Sequence, residues 1–286
     1  MTTTLDVRPV DASFGAVVTG VKLTELDDPT WRNLYATWLK YALLIFPGQH
    51  LKREEQIAFA KRFGPSEFEL SVISNVRPDG TLREDRPDDD VVNVLKGNEG
   101  WHADSTFKKV QAKGAVFSAQ IVPTIGGHTG WADMRAAYDA LDPVLKAKVE
   151  KLSAYHSYNH SQAKVGNLPK EGSEAMKYGY TQDAVPLRPL VKVHPETGRK
   201  SLLIGRHAYN IPGMSEAESD AFLEGLIEFA CQAPRVYHHD WRAGDLVIWD
   251  NRCLLHRATP WDMTQPRIMW HSRIAGDPAT ESASSP

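Results

Sequence analysis

Cysteine is scarce in this chain, and long hydrophobic runs are missing. Only two of the 286 residues are cysteine, Cys231 and Cys253, which are too few for the disulfide framework of a small secreted protein and lack the spacing of a zinc finger. No apolar run approaches the roughly 20 residues of a membrane-spanning helix, and the first residues lack the apolar core of a signal peptide. We therefore predict a cytoplasmic protein that does not bind a membrane.

An excess of positive charge is also missing. The chain has 33 Lys and Arg against 36 Asp and Glu, a formal net charge of -3. Proteins that bind nucleic acid non-specifically usually carry a strong basic field, so this balance argues against such a partner and favours a small-molecule substrate. With 42% hydrophobic residues, the chain can bury a sizeable core, and we treat residues 1–286 as one domain. Whether copies assemble into a homo-oligomer stays open.

Hydrophobic periodicity, capping residues and turn residues predict a strand-rich fold with flanking helices. The predicted helices begin at Asp28 and span residues 53–62, 135–155 with a break at Pro143, and 215–232, the last with Ser215 and Glu218 in capping-box spacing. The predicted strands span residues 42–46, 114–122, 202–204, 246–249 and 268–274. Short strands separated by turn residues are typical of an antiparallel sandwich or barrel.

Two segments have few residues to bury and little periodicity. Residues 77–90 are rich in Pro, Gly, Asp and Arg, and residues 158–185 are long, Gly-containing and weakly patterned. Loops of this kind inside compact domains are often functional, so we predict that both are mobile lids. We also predict that the tail after Gly276 is frayed.

The sequence Trp101-His102-Ala103-Asp104 places two ligand-type side chains at positions i and i+2, on one face of an extended segment. With His256 they complete two imidazoles and one carboxylate, the set that holds non-haem Fe(II) while leaving positions open for a co-substrate and O₂. By itself the H-x-D pair is at least as typical of a hydrogen-bonded turn. A lone histidine after an apolar run is likewise more often a core residue than a ligand.

Arg267, eleven residues after His256, makes the metal hypothesis more attractive. Its guanidinium offers a planar fork to a carboxylate, which suits the far end of a dicarboxylic co-substrate. Period-two alternation puts Arg267, Met269, His271 and Arg273 on one face of the strand. That face either lines a site or faces solvent, and periodicity does not choose between them.

Four segments together resemble the taurine and 2,4-dichlorophenoxyacetate dioxygenase family. They are H-x-D at residues 102–104, G-G-x-T at 126–129, W-D-N-R-x-x-x-H at 249–256, and Arg267, and the likeness runs over nearly the whole chain. Within that family the sequence is most similar to the phenoxypropionate dioxygenases, particularly those for the S enantiomer. The resemblance implies a double-stranded β-helix, or jelly-roll, fold.

The resemblance also implies roles for individual residues. His102, Asp104 and His256 are expected to bind Fe(II), while Thr129 and Arg267 are expected to bind the distal carboxylate of 2-oxoglutarate. The implied reaction uses O₂ to hydroxylate the carbon next to the ether oxygen of an aryloxyalkanoate such as (S)-2-(2,4-dichlorophenoxy)propionate. Its products are a phenol, a 2-oxo acid, succinate and CO₂.

This sequence departs from the family pattern at two positions. His128 stands where G-G-D-T has an acidic residue, and His271 stands where a second arginine is frequent. The second departure removes the familiar contact with an anionic substrate. We therefore predict that the substrate carboxylate binds Arg273 or Arg206. A further contact at Asn98 is expected because family members contact substrate four residues before the first iron ligand.

Three alternatives remain at this point. The same iron chemistry on a sulfonate or an alkyl sulfate needs a different anion pocket. A non-catalytic jelly-roll binding module would keep the fold without turnover of 2-oxoglutarate. A zinc hydrolase built on the same three ligands leaves Arg267 and Thr129 without a role.

Overall fold

The computed structural model describes residues 5–167, 172 and 184–283. The strands of this part are β1 (Asp6–Pro9), β2 (Ala16–Thr19), β3 (Leu43–Phe46), β4 (Ser66–Ser74), β5 (Gly114–Ile121), β6 (Thr129–Asp133), β7 (Ser153–His156), β8 (Leu187–Pro189), β9 (Val191–Val193), β10 (Lys200–Leu202), β11 (Ala208–Tyr209), β12 (Val236–His239), β13 (Leu246–Asp250), β14 (Leu254–Ala258) and β15 (Ile268–Ile274). The helices are α1 (Asp28–Tyr41), α2 (Arg53–Lys61), α3 (Asp90–Gly97), α4 (Met134–Ala140), α5 (Pro143–Val149), α6 (Tyr158–Ala163), α7 (Glu216–Ala230) and α8 (Pro278–Glu281), with a 3-10 turn at Leu23–Glu25. None of the helices described is long and apolar enough to cross a membrane.

The predicted helices that begin at Asp28 and at residue 215 are confirmed, and their caps explain their bounds. The Asp27 side chain accepts a hydrogen bond from the Thr30 N–H at 2.8 Å, and α1 ends where Ala42 takes a left-handed conformation with φ 61°. At α7, Ser215 and Glu218 form the predicted capping box. Local chemistry therefore sets both helices.

A seven-stranded sheet has the order β1-β2-β3-β13-β5-β15-β4. The predicted strand 268–274 is confirmed as β15, which pairs antiparallel with β5 on one side and β4 on the other. A three-stranded sheet, β12-β6-β14, packs against the larger one through apolar side chains that include Trp131, Trp249 and Met269. Residues on β14 and β15 therefore face a common interior.

Helices cover the outer sides of these two sheets. Leu34 and Trp38 of α1 and Phe59 of α2 pack with Val116 and Ile248 on the larger sheet. On the other side, α4 and α7 form an apolar cluster with β10 and residues near the smaller sheet. The prediction of a strand-rich fold with flanking helices is confirmed at this level.

One predicted helix is too long and one predicted strand is displaced. The helix expected at 135–155 is instead α4 and α5, and Ser153–His156 forms β7, whose Ala154 and His156 side chains are buried. Pairing of β7 with β8 and β11 outweighs the helical pattern there. The strand expected at 202–204 is β10, which begins two residues earlier because it pairs with Val191–Val193.

The prediction of a frayed tail after Gly276 is wrong for residues 277–283. Asp277 caps α8, and the Glu281 side chain is 2% exposed and forms an ion pair with Lys192. The Arg188 guanidinium donates to the Glu281 carbonyl at 3.2 Å. Long-range contacts to Lys192 and Arg188 order this segment together with the local cap at Asp277.

The two predicted lids have different outcomes. Residues 77–90 are held by local ion pairs, in which Asp89 contacts Arg83 at 3.1 Å and Arg77 at 3.4 Å. Asp89 also caps α3, a helix that was not predicted from the sequence. Residues 158–185 begin as α6, and residues 168–171 and 173–183 lie outside the described part of the chain. A lid role for either segment stays a prediction.

Candidate metal centre and active site

His102, Asp104 and His256 come together as predicted. A two-residue bridge joins the H-x-D segment to β14, with the His102 N–H donating to the His256 carbonyl at 3.0 Å and the His256 N–H donating to the His102 carbonyl at 2.7 Å. One potential ligand atom from each of the three side chains lies within 4.8 Å of the others, and all three residues are buried. The bridge thus places His256 beside the other two ligand candidates.

The ionisation of these side chains suits a cation. Burial lowers the pKa of His102 to about 3 and that of His256 to about 4, so both imidazoles are neutral and keep a lone pair. Burial by itself raises the pKa of Asp104, but the charge of Arg273 and the neighbouring histidines hold it well below its usual range. The carboxylate is therefore ionised at neutral pH.

The hydrogen bonds of the triad test whether a metal fits. His102 Nδ1 donates to the Gly100 carbonyl at 2.8 Å, which leaves Nε2 as its ligand atom. Asp104 Oδ2 is buried without a hydrogen-bond partner in the part of the chain described. Buried polar atoms are rarely left unpaired, so this oxygen, which lies near the imidazoles of His256 and His271, fits a metal ligand. The donor set suits Fe(II).

Asn251, from the W-D-N-R segment, clamps the backbone of Asp104. Its Oδ1 accepts from the Asp104 N–H at 2.7 Å, and its Nδ2 donates to the carbonyls of Asp104 at 2.9 Å and Ala112 at 3.0 Å. Asn251 follows Asp250, which is held by Arg252 and His194. The segment therefore positions the carboxylate ligand as well as leading into β14.

We expect Asn251→Ala to lower the free energy of unfolding by about 3 kcal/mol, because three buried hydrogen bonds are lost at roughly 1 kcal/mol each. Metal affinity should fall with it, since Asp104 loses its backbone anchor. Asn75→Ala is the matched control, because Asn75 is equally buried and makes three hydrogen bonds to backbone groups of Met263, Gln265 and Arg267. Chemical denaturation and metal titration of both variants decide this; equal metal affinities contradict the clamp.

Arg267 is a buried cation without a buried acid beside it. Its side chain donates to the Gly127 carbonyl through Nε at 3.2 Å and Nη2 at 3.1 Å, and no carboxylate of the described residues forms an ion pair with it. Burial lowers its pKa to about 10, so the group is still charged at neutral pH. An unpaired buried charge is costly, and a bound anion would offset it.

The G-G-x-T segment forms the other side of this anion position. A Cβ on Gly127, whose φ is +67°, would lie 3.1 Å from Arg267 Nε, so glycine leaves room for the guanidinium. Thr129 Oγ1 accepts from Trp241 Nε1 at 3.0 Å, which leaves its own hydroxyl hydrogen for a ligand. His128 Nε2 lies 3.3 Å from Asp240 Oδ1, and the departure from G-G-D-T leaves Thr129 in place.

One cavity is lined by all three metal-ligand candidates and by Thr129 and Arg267. Its walls are largely apolar, as a site for an aromatic ring requires. The apolar and aromatic lining residues are Ile73, Val94, Phe107, Phe117, Tyr158, Trp249 and Ala258. The strand face that contains Arg267, His271 and Arg273 lines this cavity, so the alternative in which it faces solvent is wrong.

The predicted substrate contacts lie in different places. Asn98 and Arg273 line the cavity, but Arg273 Nη2 donates to Asp104 Oδ1 at 2.8 Å. Arg206 lines a neighbouring cavity and donates to the Ser161 carbonyl at 3.2 Å. His271 stacks on Trp249, with ring centroids 5.8 Å apart. A substrate role for each of these residues stays a prediction.

Two lining residues were missed by the sequence analysis. His207 borders the cavity, and its Nδ1 lies 2.8 Å from Ser161 Oγ. Arg257 borders the main and the neighbouring cavity, although strict alternation places it opposite His256. The position of Arg257 directly after the ligand candidate His256 could have indicated that it lies near the site. No residue near His207 in the sequence connects it with His102.

An open set of two histidines and one carboxylate, beside a buried arginine, defines a metal-dependent oxygenase of the non-haem iron class. The chain matches the family described as taurine catabolism dioxygenase TauD, TfdA family over residues 6–273, and it belongs to that family.

Its relatives include two (S)-phenoxypropionate/alpha-ketoglutarate-dioxygenases. The protein from Sphingobium herbicidovorans is 67% identical over 99% of both chains, and that from Delftia acidovorans is 59% identical over the same shares. The solved structure of AAD-2 in complex with Mn(II) and N-oxalylglycine has a TM-score of 0.88 and 37% identity, covering 99% of this chain and 100% of that one.

Proposed function

We propose that this protein is an Fe(II)- and 2-oxoglutarate-dependent dioxygenase that cleaves the ether bond of aryloxyalkanoates such as (S)-2-(2,4-dichlorophenoxy)propionate. The observation that carries this proposal is one cavity lined both by the His102, Asp104 and His256 triad and by the buried Arg267, which pairs with no acid of the described residues. The names of the relatives support the substrate class. The two packed sheets, antiparallel apart from the parallel pairing of β2 with β3, fit the jelly-roll arrangement that the sequence resemblance implies.

The co-substrate end of the site is formed by Arg267 and Thr129. The remaining guanidinium donors and the Thr129 hydroxyl would hold the distal carboxylate of 2-oxoglutarate. Such a grip orients the other end of the molecule toward the triad and keeps it there during turnover. Bound Fe(II) supplies the chemistry that side chains lack, the activation of O₂ coupled to decarboxylation of 2-oxoglutarate.

The substrate end is formed by the apolar wall. Phe107, Tyr158 and Val94 present a surface for the aryl ring, and Asn98 offers an amide to the polar end of the substrate. These contacts would place the carbon between the ether oxygen and the carboxylate near the triad. One oxygen atom inserted into its C–H bond gives a hemiketal, which releases the phenol as its C–O bond breaks and leaves the 2-oxo acid.

We expect oxygen uptake with Fe(II), 2-oxoglutarate and aryloxypropionates to exceed uptake with taurine or alkyl sulfates by at least about tenfold. The reason is that the aryl ring buries apolar surface against this wall, worth roughly 25 cal/mol per Å², and taurine brings no such surface. Both enantiomers of each aryloxypropionate should be assayed, with phenol and succinate measured together. Faster turnover of taurine or an alkyl sulfate would transfer the proposal to that substrate class.

A further inference from the structure

We infer that Arg273 is a positioning residue for the Asp104 carboxylate and not the anchor of the substrate carboxylate; this rests on the proposed iron site. Arg273 Nη2 donates to Asp104 Oδ1 at 2.8 Å. The two side chains are 16% and 8% exposed, so the ion pair lies in a partly desolvated environment where it is stronger than at a surface. The Nη2 end of its guanidinium is thus already committed to a carboxylate of the protein, while Nε has no hydrogen-bond partner among the described residues.

The surroundings of Arg273 hold this geometry. Its Nη1 donates to Ser105 Oγ at 3.2 Å and lies 3.6 Å from Glu67, and its guanidinium lies over the Phe68 ring at 4.8 Å. Glu67 in turn accepts from the Ser105 hydroxyl at 2.8 Å and from Lys108 at 2.6 Å. These contacts come from β4 and from the turn after Asp104, so the arginine is fixed on several sides.

The consequence concerns the two oxygens of Asp104. Oδ1 is occupied by Arg273, whereas Oδ2 has no hydrogen-bond partner among the described residues and lies 3.9 Å from His256 Nε2 and 3.5 Å from His271 Nε2. The Arg273 guanidinium therefore holds Oδ1 and directs Oδ2 toward the imidazoles of His256 and His271 whether or not a metal is bound. Partners that orient a metal ligand in this way commonly change metal affinity when they are removed.

The test is a titration of metal-free protein with Mn(II), in which free Mn(II) is measured by electron paramagnetic resonance. We expect Arg273→Met to weaken Mn(II) binding about 10- to 100-fold. Removing a positive charge near a cation would by itself strengthen binding, so weaker binding identifies loss of orientation. Arg273→Lys keeps the charge but loses the fork, and we expect an affinity between those of Arg273→Met and the wild type. If Arg273→Met fails to fold, Arg273→Lys still shows the loss.

Arg135→Met is the matched control. Arg135 and Asp133 form an ion pair at 2.9 Å that is more deeply buried, with side chains 3% and 1% exposed, and neither side chain lines the cavity. We expect this variant to lose thermal stability while its Mn(II) affinity stays at the wild-type value. A general effect of deleting a buried arginine would instead weaken metal binding in both variants and overturn the inference.

Two further outcomes would overturn it. If wild-type protein binds Mn(II) and Arg273→Met binds equally well or more tightly, Arg273 does not position Asp104. If metal affinity is unchanged and only the KM for the aryloxy acid rises, Arg273 is the substrate anchor that the strand pattern suggested. Failure of the wild-type protein to bind Mn(II) would contradict the proposed function itself, and the inference with it.

Discussion

Asp104→Ala is expected to abolish succinate formation from 2-oxoglutarate. The substitution removes the only carboxylate of the triad, whose Oδ2 lies 3.9 Å from His256 Nε2. Loss of an outer partner of a metal ligand commonly costs 10- to 100-fold, and we expect loss of the ligand itself to cost more than about 100-fold. Succinate released in the presence of excess Fe(II) is the measurement, and His102→Ala and His256→Ala should behave alike.

The control for this prediction is Asp133→Ala. Asp133 is a buried carboxylate paired with an arginine, as Asp104 is, but it lies outside the cavity. Each variant removes the carboxylate nearest to a buried arginine, although Arg273 keeps Glu67 at 3.6 Å, so we expect both to be less stable than the wild type. Only Asp104→Ala should stop turnover. Near-normal succinate production by Asp104→Ala, with no formate added to replace the carboxylate, would show that the triad assignment is wrong.

Arg267→Ala is expected to raise the KM for 2-oxoglutarate by an amount corresponding to about 2 to 5 kcal/mol of binding free energy. Arg267 is 3% exposed and pairs with no acid of the described residues, so its charge is available to interact with the carboxylate of a bound ligand. Steady-state kinetics at saturating aryloxy acid measure the change. The stability of the variant should also fall, because the Gly127 carbonyl loses two hydrogen bonds, so kinetics are compared at a temperature where both proteins are folded.

Arg267→Lys separates charge from geometry. Lysine keeps the charge but offers one point of contact instead of a planar fork, so we expect only partial recovery of the KM for 2-oxoglutarate. The KM for the aryloxy acid should stay near its wild-type value in both variants. A raised KM for the aryloxy acid, with that for 2-oxoglutarate unchanged, would mean that the two ends of the site are reversed.

Features that depend on neighbouring residues were predictable from the sequence. The helix start at Asp28 and the capping box at Ser215 were read from local residues, and period-two alternation placed Arg267, His271 and Arg273 on one face of the last strand. That this face lines the cavity was decided by the structure. The donor types and the i, i+2 spacing of His102 and Asp104 suggested the metal centre before any geometry was available. Each of these inferences uses contacts or periodicities within a few residues, where the backbone itself sets the relation.

Features that depend on packing between distant segments were not predictable in this way. Residues 153–156 become a strand because partners on two sides pair with them, and α8 is ordered by Lys192 and Arg188 from elsewhere in the chain. His207 reached the cavity with no local signal. The energy that decides such cases comes from tertiary contacts, which override local preference.

The amino-acid sequence by itself determined which side chains can bind a metal and a dicarboxylate, because donor type and charge belong to the residue. Only the tertiary structure decided which of them meet and how they share their partners. The His102–His256 bridge joins segments about 150 residues apart, and the same packing pairs Arg273 with Asp104 while Arg267 meets no acid in the part of the chain that the structure describes. The physical reason is that Coulomb and hydrogen-bond energies depend on distance in space and on burial, both of which the fold creates.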